Sequence, residues 1–225
     1  MFQLVSRRAL SDEVFEQVRD QILTGKLQAN DRLPSERSLC EMLGVNRGVI
    51  REALKRLEQA QLIRVQHGGG TTVLDYKLSG SMELLPALLL QGDEPNLEVV
   101  RCVMELRLAL GRDIARLCAL RAKPPTLAAI EEVTASMLKP DNWDELEGLS
   151  GRFWELLVEG SENIAYQLAF NALRRTFEQL RSVFRERLSK EWENAAHYRK
   201  QYEALSSGNA DEAVGLIEEL LQSAM

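Results

Sequence analysis

Leu33 to Gln66 reads LPSERSLCEMLGVNRGVIREALKRLEQAQLIRVQ, and the fold turns on it. Leu33-Pro34-Ser35 is a helix start: proline is pre-set for a first turn, and serine accepts from an orphan backbone N–H. Leu39, Met42 and Leu43 recur at helical spacing, which predicts a short amphipathic helix. Gly44 suits its left-handed cap, Val45 fills the turn, and Asn46 caps a second helix that begins at Arg47. That helix carries Ile50, Ala53, Leu54 and Leu57 on one face and Arg47, Arg51 and Lys55 on another. A short turn between two helices, the second led by bases, is the helix-turn-helix arrangement. A plain helical hairpin has the same periodicity, so the next residues decide.

After Leu57 the period becomes strand-like. Residues 62–66 and 71–74 are β-prone runs around His67-Gly68-Gly69-Gly70, which predicts a hairpin. A helix-turn-helix followed by a two-stranded hairpin is a winged helix, and this implies a DNA-binding domain. Glycines at the wing tip allow close approach to a groove. His67 either reaches into that groove or is a solvated loop residue.

The 225 residues allow one large domain or two small ones, with 45% hydrophobic and 28% charged residues typical of globular proteins. No apolar run approaches the ~18 residues a membrane span needs, and the N-terminus lacks a signal-peptide pattern. Cys40, Cys102 and Cys118 have no metal-ligand spacing, which points to reduced thiols and a cytoplasmic location. The net charge of −6 divides unevenly: residues 1–75 hold 11 Lys and Arg against 10 Asp and Glu, the remainder 17 against 24. DNA affinity must therefore come from the placement of arginines, not from bulk charge.

Along the chain, residues 1–9 read as an arm whose Arg7 and Arg8 either touch phosphate or are solvated. Ser11 reads as the cap of a first helix with Val14, Phe15, Val18, Ile22 and Leu23 buried, ended by Gly25. The polar stretch 27–32 connects it to the helix-turn-helix. The expected organisation is a winged-helix domain over residues 1–75, a linker at 76–81, and an all-α domain over 82–225. The fold class is thus mainly α, with a C-terminal bundle of about seven helices and no strand beyond Met82. Helices are expected at 82–90, 96–122, from Thr126 to near Pro140, and at 143–159, 163–188, 190–205 and 211–225.

Gly25-x-Leu27, Asp31 to Arg37, Leu43 to Arg47, Arg51 to Leu54 and Leu57 together resemble the N-terminal signature of the GntR family of bacterial transcription regulators. With an all-helical C-terminal domain the resemblance extends to the FadR subfamily, whose members are homodimers that bind a small effector in that domain. It implies DNA contacts at Arg37, Arg47 and Arg51, and wing contacts in the minor groove at His67 and Gly68. Arg47 would face base edges, and Arg37 and Arg51 would hold phosphates. Asn46 replaces a usual hydroxyl residue, and Gly48 departs from the common pattern at the start of the helix. Lys55 and Arg56 read as a solvated face. Gln61 stands where the family commonly has glycine, which predicts strain in the turn into the wing.

Many relatives hold a metal through an aspartate and three histidines. Ser150, Trp154, Tyr198 and Leu220 fall at those positions here, with His197 one residue from Tyr198, so no metal and no other cofactor are expected. An interior bordered by Trp154 and Tyr198 suits a greasier effector. The Gln66-His67-Gly68 wing and the Ser79-Gly80 linker resemble the subfamily's fatty-acid-responsive member, and the expected effector is an acyl-CoA or other acyl ligand. Arg107 matches an arginine facing the effector cavity, able to pair with a carboxylate or phosphate. Alternatively it pairs with Glu105 or Asp113 at the surface, and Trp154 and Tyr198 are plain core aromatics. Catalysis would rest on His197 alone, so no enzyme is expected. A domain that binds a protein partner through its last two helices, or that binds a small carboxylate, is the competing expectation. Finding no enclosed cavity would favour the protein partner.

Overall fold

The computed structural model describes residues 7–66, 70–91, 94–140 and 142–222. They form two compact units, residues 1–96 and 97–225. In the first, α1 (Arg7–Leu23) is followed by α2 (Glu36–Leu43), α3 (Arg47–Gln59) and an antiparallel pair, β1 (Ile63–Gln66) and β2 (Gly70–Val73). α2 starts as its sequence predicts: Ser35 accepts from the Ser38 N–H, and Gly44 (φ 67°) donates to the Cys40 carbonyl. Asn46 caps α3 by accepting from the Val49 N–H. One core unites these elements, with Val14, Val18 and Ile22 of α1 against Ile50, Leu54 and Leu57 of α3. Leu62, Ile63 and Val73 close it beneath the hairpin.

Several local expectations are corrected in this unit. Ser11 is fully buried inside α1, which already begins at Arg7, so it does not mark the helix start, and residues 7–9 are helical rather than an arm. Residues 27–32 are more than a connection: Arg32 bridges to Thr72, and Leu33 N–H donates to the Thr71 carbonyl, so a third short segment borders the wing. The division between units falls after Asn96, not within 76–81. Tyr76–Ser79 is a helical turn, α4, and Leu84 belongs to the winged-helix core with Tyr76 and Leu88 packed against it. Met82–Leu84 is a single 3₁₀ turn, followed by α5 (Leu85–Leu89). β3 (Leu90–Gln91) and β4 (Glu94–Pro95) then make a two-residue antiparallel pair where no strand was expected.

The second unit contains seven helices among the described residues: α6 (Leu97–Arg121), α7 (Pro124–Ser136), α8 (Trp143–Gly160), α9 (Ile164–Gln179), α10 (Arg181–Trp192), α11 (Ala195–Ser206) and α12 (Ala210–Gln222). α6 is central and packs against α8, α9, α11 and α12. Along it Val103, Ile114, Leu117 and Cys118 are buried, while Val99, Leu106 and Leu110 are half-buried. Close approach is sequence-encoded at Gly160, where a Cβ would lie 2.6 Å from Cys118 Sγ.

Boundaries moved for identifiable reasons. α7 starts at the two prolines, which take the first helical positions, and Thr126 lies inside it. The expected 163–188 helix is broken at Leu180 (φ −115°, ψ 33°), with no glycine or proline to announce it. There Leu180 and Phe184 are buried and Phe177 meets Phe184 edge-on at 4.5 Å, so packing sets the break. The 190–205 helix likewise splits at Asn194, whose side chain accepts from the His197 N–H and caps α11.

Candidate nucleic-acid interface and ligand cavity

The start of α3 is exposed and basic. Arg47, its first residue, makes no ion pair among the described residues. Gly48 beside it leaves room for the cap, since a Cβ there would lie 3.1 Å from Asn46 Oδ1. Arg37 Nε donates to Glu41 Oε1 at 3.0 Å within α2, and Arg51 Nε donates to Glu36 Oε2 at 2.9 Å, linking α3 to α2. Both pairs stand in solvent, where such contacts contribute little and are readily exchanged. A phosphate can replace either glutamate without uncovering a buried charge. Arg47 and Arg51, one turn apart on α3, are thus solvent-facing beside α2, where Arg37 is also exposed, with the α3 N-terminus adding its partial positive charge.

Arg56 departs from expectation. It pairs with Asp12 and stacks over Phe15 with its guanidinium carbon 4.5 Å from the ring centroid, so it ties α3 to α1. Lys55 is exposed, as a solvated face requires. Glu58 Oε1 accepts from the Val65 N–H and fastens the wing strand to α3. Gln61 has a left-handed backbone (φ 58°), the strain its replacement of glycine predicts. His67 and Gly68 lie outside the described residues.

The helical unit holds a half-open cavity of about 460 Å³ between α6, α8, α9 and α10. Leu110, Ile114, Phe170, Leu173, Phe177 and Leu188 supply much of its apolar wall. Arg107 and Trp154 line it as expected, but Arg107 pairs with neither Glu105 nor Asp113. Its Nη1 and Nη2 donate to Glu191 Oε2 and Oε1, both at 2.7 Å, while its guanidinium carbon lies 4.9 Å from the Trp154 ring centroid. Trp154 Nε1–H also donates to Glu191 Oε1, at 3.1 Å. Tyr198 does not line the cavity; it is buried behind this pair, sharing a 3.1 Å hydrogen bond with Ser150 and donating to Glu191 Oε1 at 3.4 Å. Burial first, then the Glu191 charge, raises the Tyr198 phenol well above its ordinary range, so it stays a donor.

Glu191 is the residue that sequence reasoning missed. Its signal was present: it follows Phe184 and Leu188 at helical spacing, and a carboxylate on an apolar stripe requires a buried partner. Of the four positions aligned with the family's metal ligands, Trp154 and Tyr198 contact Glu191, Ser150 contacts Tyr198, and Leu220 is buried. His197 turns away toward α12, its Nε2 meeting the Leu216 carbonyl. At the mouth the charges are matched: Arg181 holds Asp144 and Glu147, Arg185 holds Asp144, and Arg174 holds Glu155 and Glu178.

With this geometry in hand, known proteins bear on the assignment. Residues 10–73 match the profile described as bacterial regulatory proteins, gntR family, and residues 102–223 match the FCD domain. This chain belongs to the GntR family. It is 33% identical over 222 residues to the HTH-type transcriptional regulator Mce2R of Mycobacterium tuberculosis, covering 99% of this chain and 92% of that protein. It is 32% identical over 181 residues to the putative L-lactate dehydrogenase operon regulatory protein of Escherichia coli, covering 80% of this chain and 68% of that one. The solved structure described as Lar, which controls the expression of the Listeria monocytogenes agr system, shares the fold at a TM-score of 0.59. It is 17% identical, with 100% of this chain and 98% of that one covered. This GntR-type protein is accordingly a helix-turn-helix transcription regulator with a C-terminal FCD effector-binding domain. Among the described residues no helix is long and apolar enough to cross a membrane.

Proposed function

We propose that this regulator binds a pseudo-palindromic duplex operator as a homodimer, reading base edges with Arg47 and anchoring phosphates with Arg37 and Arg51. The exposed row of arginines at the start of α3, on a winged-helix scaffold, carries this assignment. Asn46 and Gly48 shape that helix start, and His67 and Gly68 are assigned to the minor groove from the wing. Binding to a duplex selected by the protein from a random pool, measured against scrambled duplex in rising salt, tests it. An unchanged preference after Arg47→Ala would sink the base-reading role.

The helical domain is proposed to bind an effector with a largely apolar body, such as an acyl chain, in the cavity beside Trp154. Its volume lies in the usual range for small-molecule sites, about 300–1,000 Å³. A deep, half-open cavity of this size favours a small molecule over a protein partner in that domain. The effector alters DNA affinity to the extent that it binds one dimer arrangement better than another. We place the chain in the FadR-like branch of the family, without a resident metal and without a catalytic step. Thermal shift of the full chain with a panel of acyl compounds, followed by DNA titration with any that bind, tests the effector role.

A further inference from the structure

Charge is balanced at every depth of the cavity, and that restricts what can enter it. The one cation lining its interior, Arg107, has both terminal nitrogens committed to both oxygens of Glu191, whose side chain is 0% exposed. Glu191 Oε1 in turn accepts from Trp154 and Tyr198, so the carboxylate is saturated from its far side. At the mouth, the lining arginines are paired with lining carboxylates at 2.6–3.7 Å. Among the described residues of the cavity's interior, then, no cation is left over for an incoming anion, and only the half-exposed pairs of the mouth remain exchangeable.

We infer that Glu191 serves as a built-in carboxylate that occupies Arg107 and makes the cavity selective for uncharged, apolar ligands over organic acids of the same length. This rests on the effector-cavity assignment above and specifies its ligand chemistry. An entering acid would have to displace Glu191 from a bidentate, dehydrated pair, leaving one of two carboxylates buried without a counter-charge. A neutral ligand displaces nothing and needs only the apolar wall. An acyl group is thus accepted into the interior as an ester, amide or alcohol, and an anionic head is kept out of it, at the solvent-open mouth or beyond.

The test uses the full chain and a matched pair of probes, 1-decanol and decanoate, each below its aggregation threshold. Binding is followed by calorimetry and by fluorescence of Trp154 and Trp192, which line the cavity. The wild-type protein should take decanol more tightly than decanoate by roughly tenfold or more. Glu191→Gln frees the Arg107 charge and should narrow or reverse that ratio. Equal or tighter decanoate binding by the wild type overturns the inference, as does an unchanged ratio in a folded Glu191→Gln variant. Should that variant not fold, the double replacement Arg107→Leu/Glu191→Leu removes both charges and should keep the neutral preference; a gain for decanoate there counts against the proposal. If the wild type binds neither probe, the effector-cavity assignment itself fails and takes this inference with it, an outcome distinct from binding without discrimination.

Discussion

Arg51 and Arg107 each hold a glutamate at nearly the same distance, 2.9 Å and 2.7 Å, yet the two pairs do opposite work. The Arg51 and Glu36 side chains are 69% and 40% exposed, those of Arg107 and Glu191 11% and 0%. In water the first pair contributes about 0–1 kcal/mol and can be traded for a phosphate. Away from water the second has nothing to trade with, because either partner alone would be a buried, uncompensated charge. One arginine is therefore available to a ligand and the other belongs to the architecture. An arginine's role follows from its surroundings, even when its partner and distance are the same.

The largest effect should come from breaking the buried pair. Arg107→Ala leaves Glu191 unpaired and should destabilise the helical unit by about 3–5 kcal/mol, read from denaturant unfolding. A loss near zero would erase the contrast with Arg51. On the exposed side, Arg47→Ala should keep the fold and cost roughly 1–3 kcal/mol of discrimination between selected and scrambled duplex. Arg51→Ala should instead weaken both duplexes alike and lower the salt slope by about one. If Arg51→Ala changed preference and Arg47→Ala did not, their assigned roles would have to be exchanged.

Smaller effects probe how each unit is packed. Gly160→Ala forces a methyl against Cys118 and Ala122 and should cost about 1–3 kcal/mol, visible as a lower unfolding midpoint. Gln61→Gly relieves a left-handed backbone in the winged helix and should stabilise by about 1 kcal/mol. A destabilised Gln61→Gly would mean that the Gln61 side chain's bond to the Glu58 carbonyl outweighs the strain. The smallest change is expected at Asp113, whose carboxyl is held below the usual range chiefly by the 2.6 Å bond from Tyr166. A depressed carboxyl contributes stability above its unfolded pKa and loses it as pH falls through the folded one. Tyr166→Phe should thus lower stability by under about 1 kcal/mol at neutral pH, with the difference closing in acid, since the site is partly open to solvent. A constant difference down to low pH would contradict that origin.

Much of the winged helix was legible because its signals are local. Pro34 and Ser35 start α2, Gly44 ends it, Asn46 starts α3, and the Arg47–Arg51 spacing puts both on one face of a helix. Where local signals were sparse, reading failed. Leu180 breaks a helix with no breaker residue, and Ser11 resembles a cap but sits in a helix interior. Arg56 reads as one more exposed base until α1 brings Asp12 and Phe15 against it.

By itself, then, the sequence determined the order of elements from the helix-turn-helix through the wing, its leading arginine, the mainly helical second unit and the family. Each depends on neighbours within a turn or two, where backbone geometry and capping chemistry act. Only the tertiary structure decided that Arg107 belongs to Glu191, that Tyr198 stands behind the cavity and not in it, and that Leu84 packs with the winged helix. Those outcomes join residues dozens of positions apart. Burial sets their energies, and burial is a property of packed elements that no local spacing records.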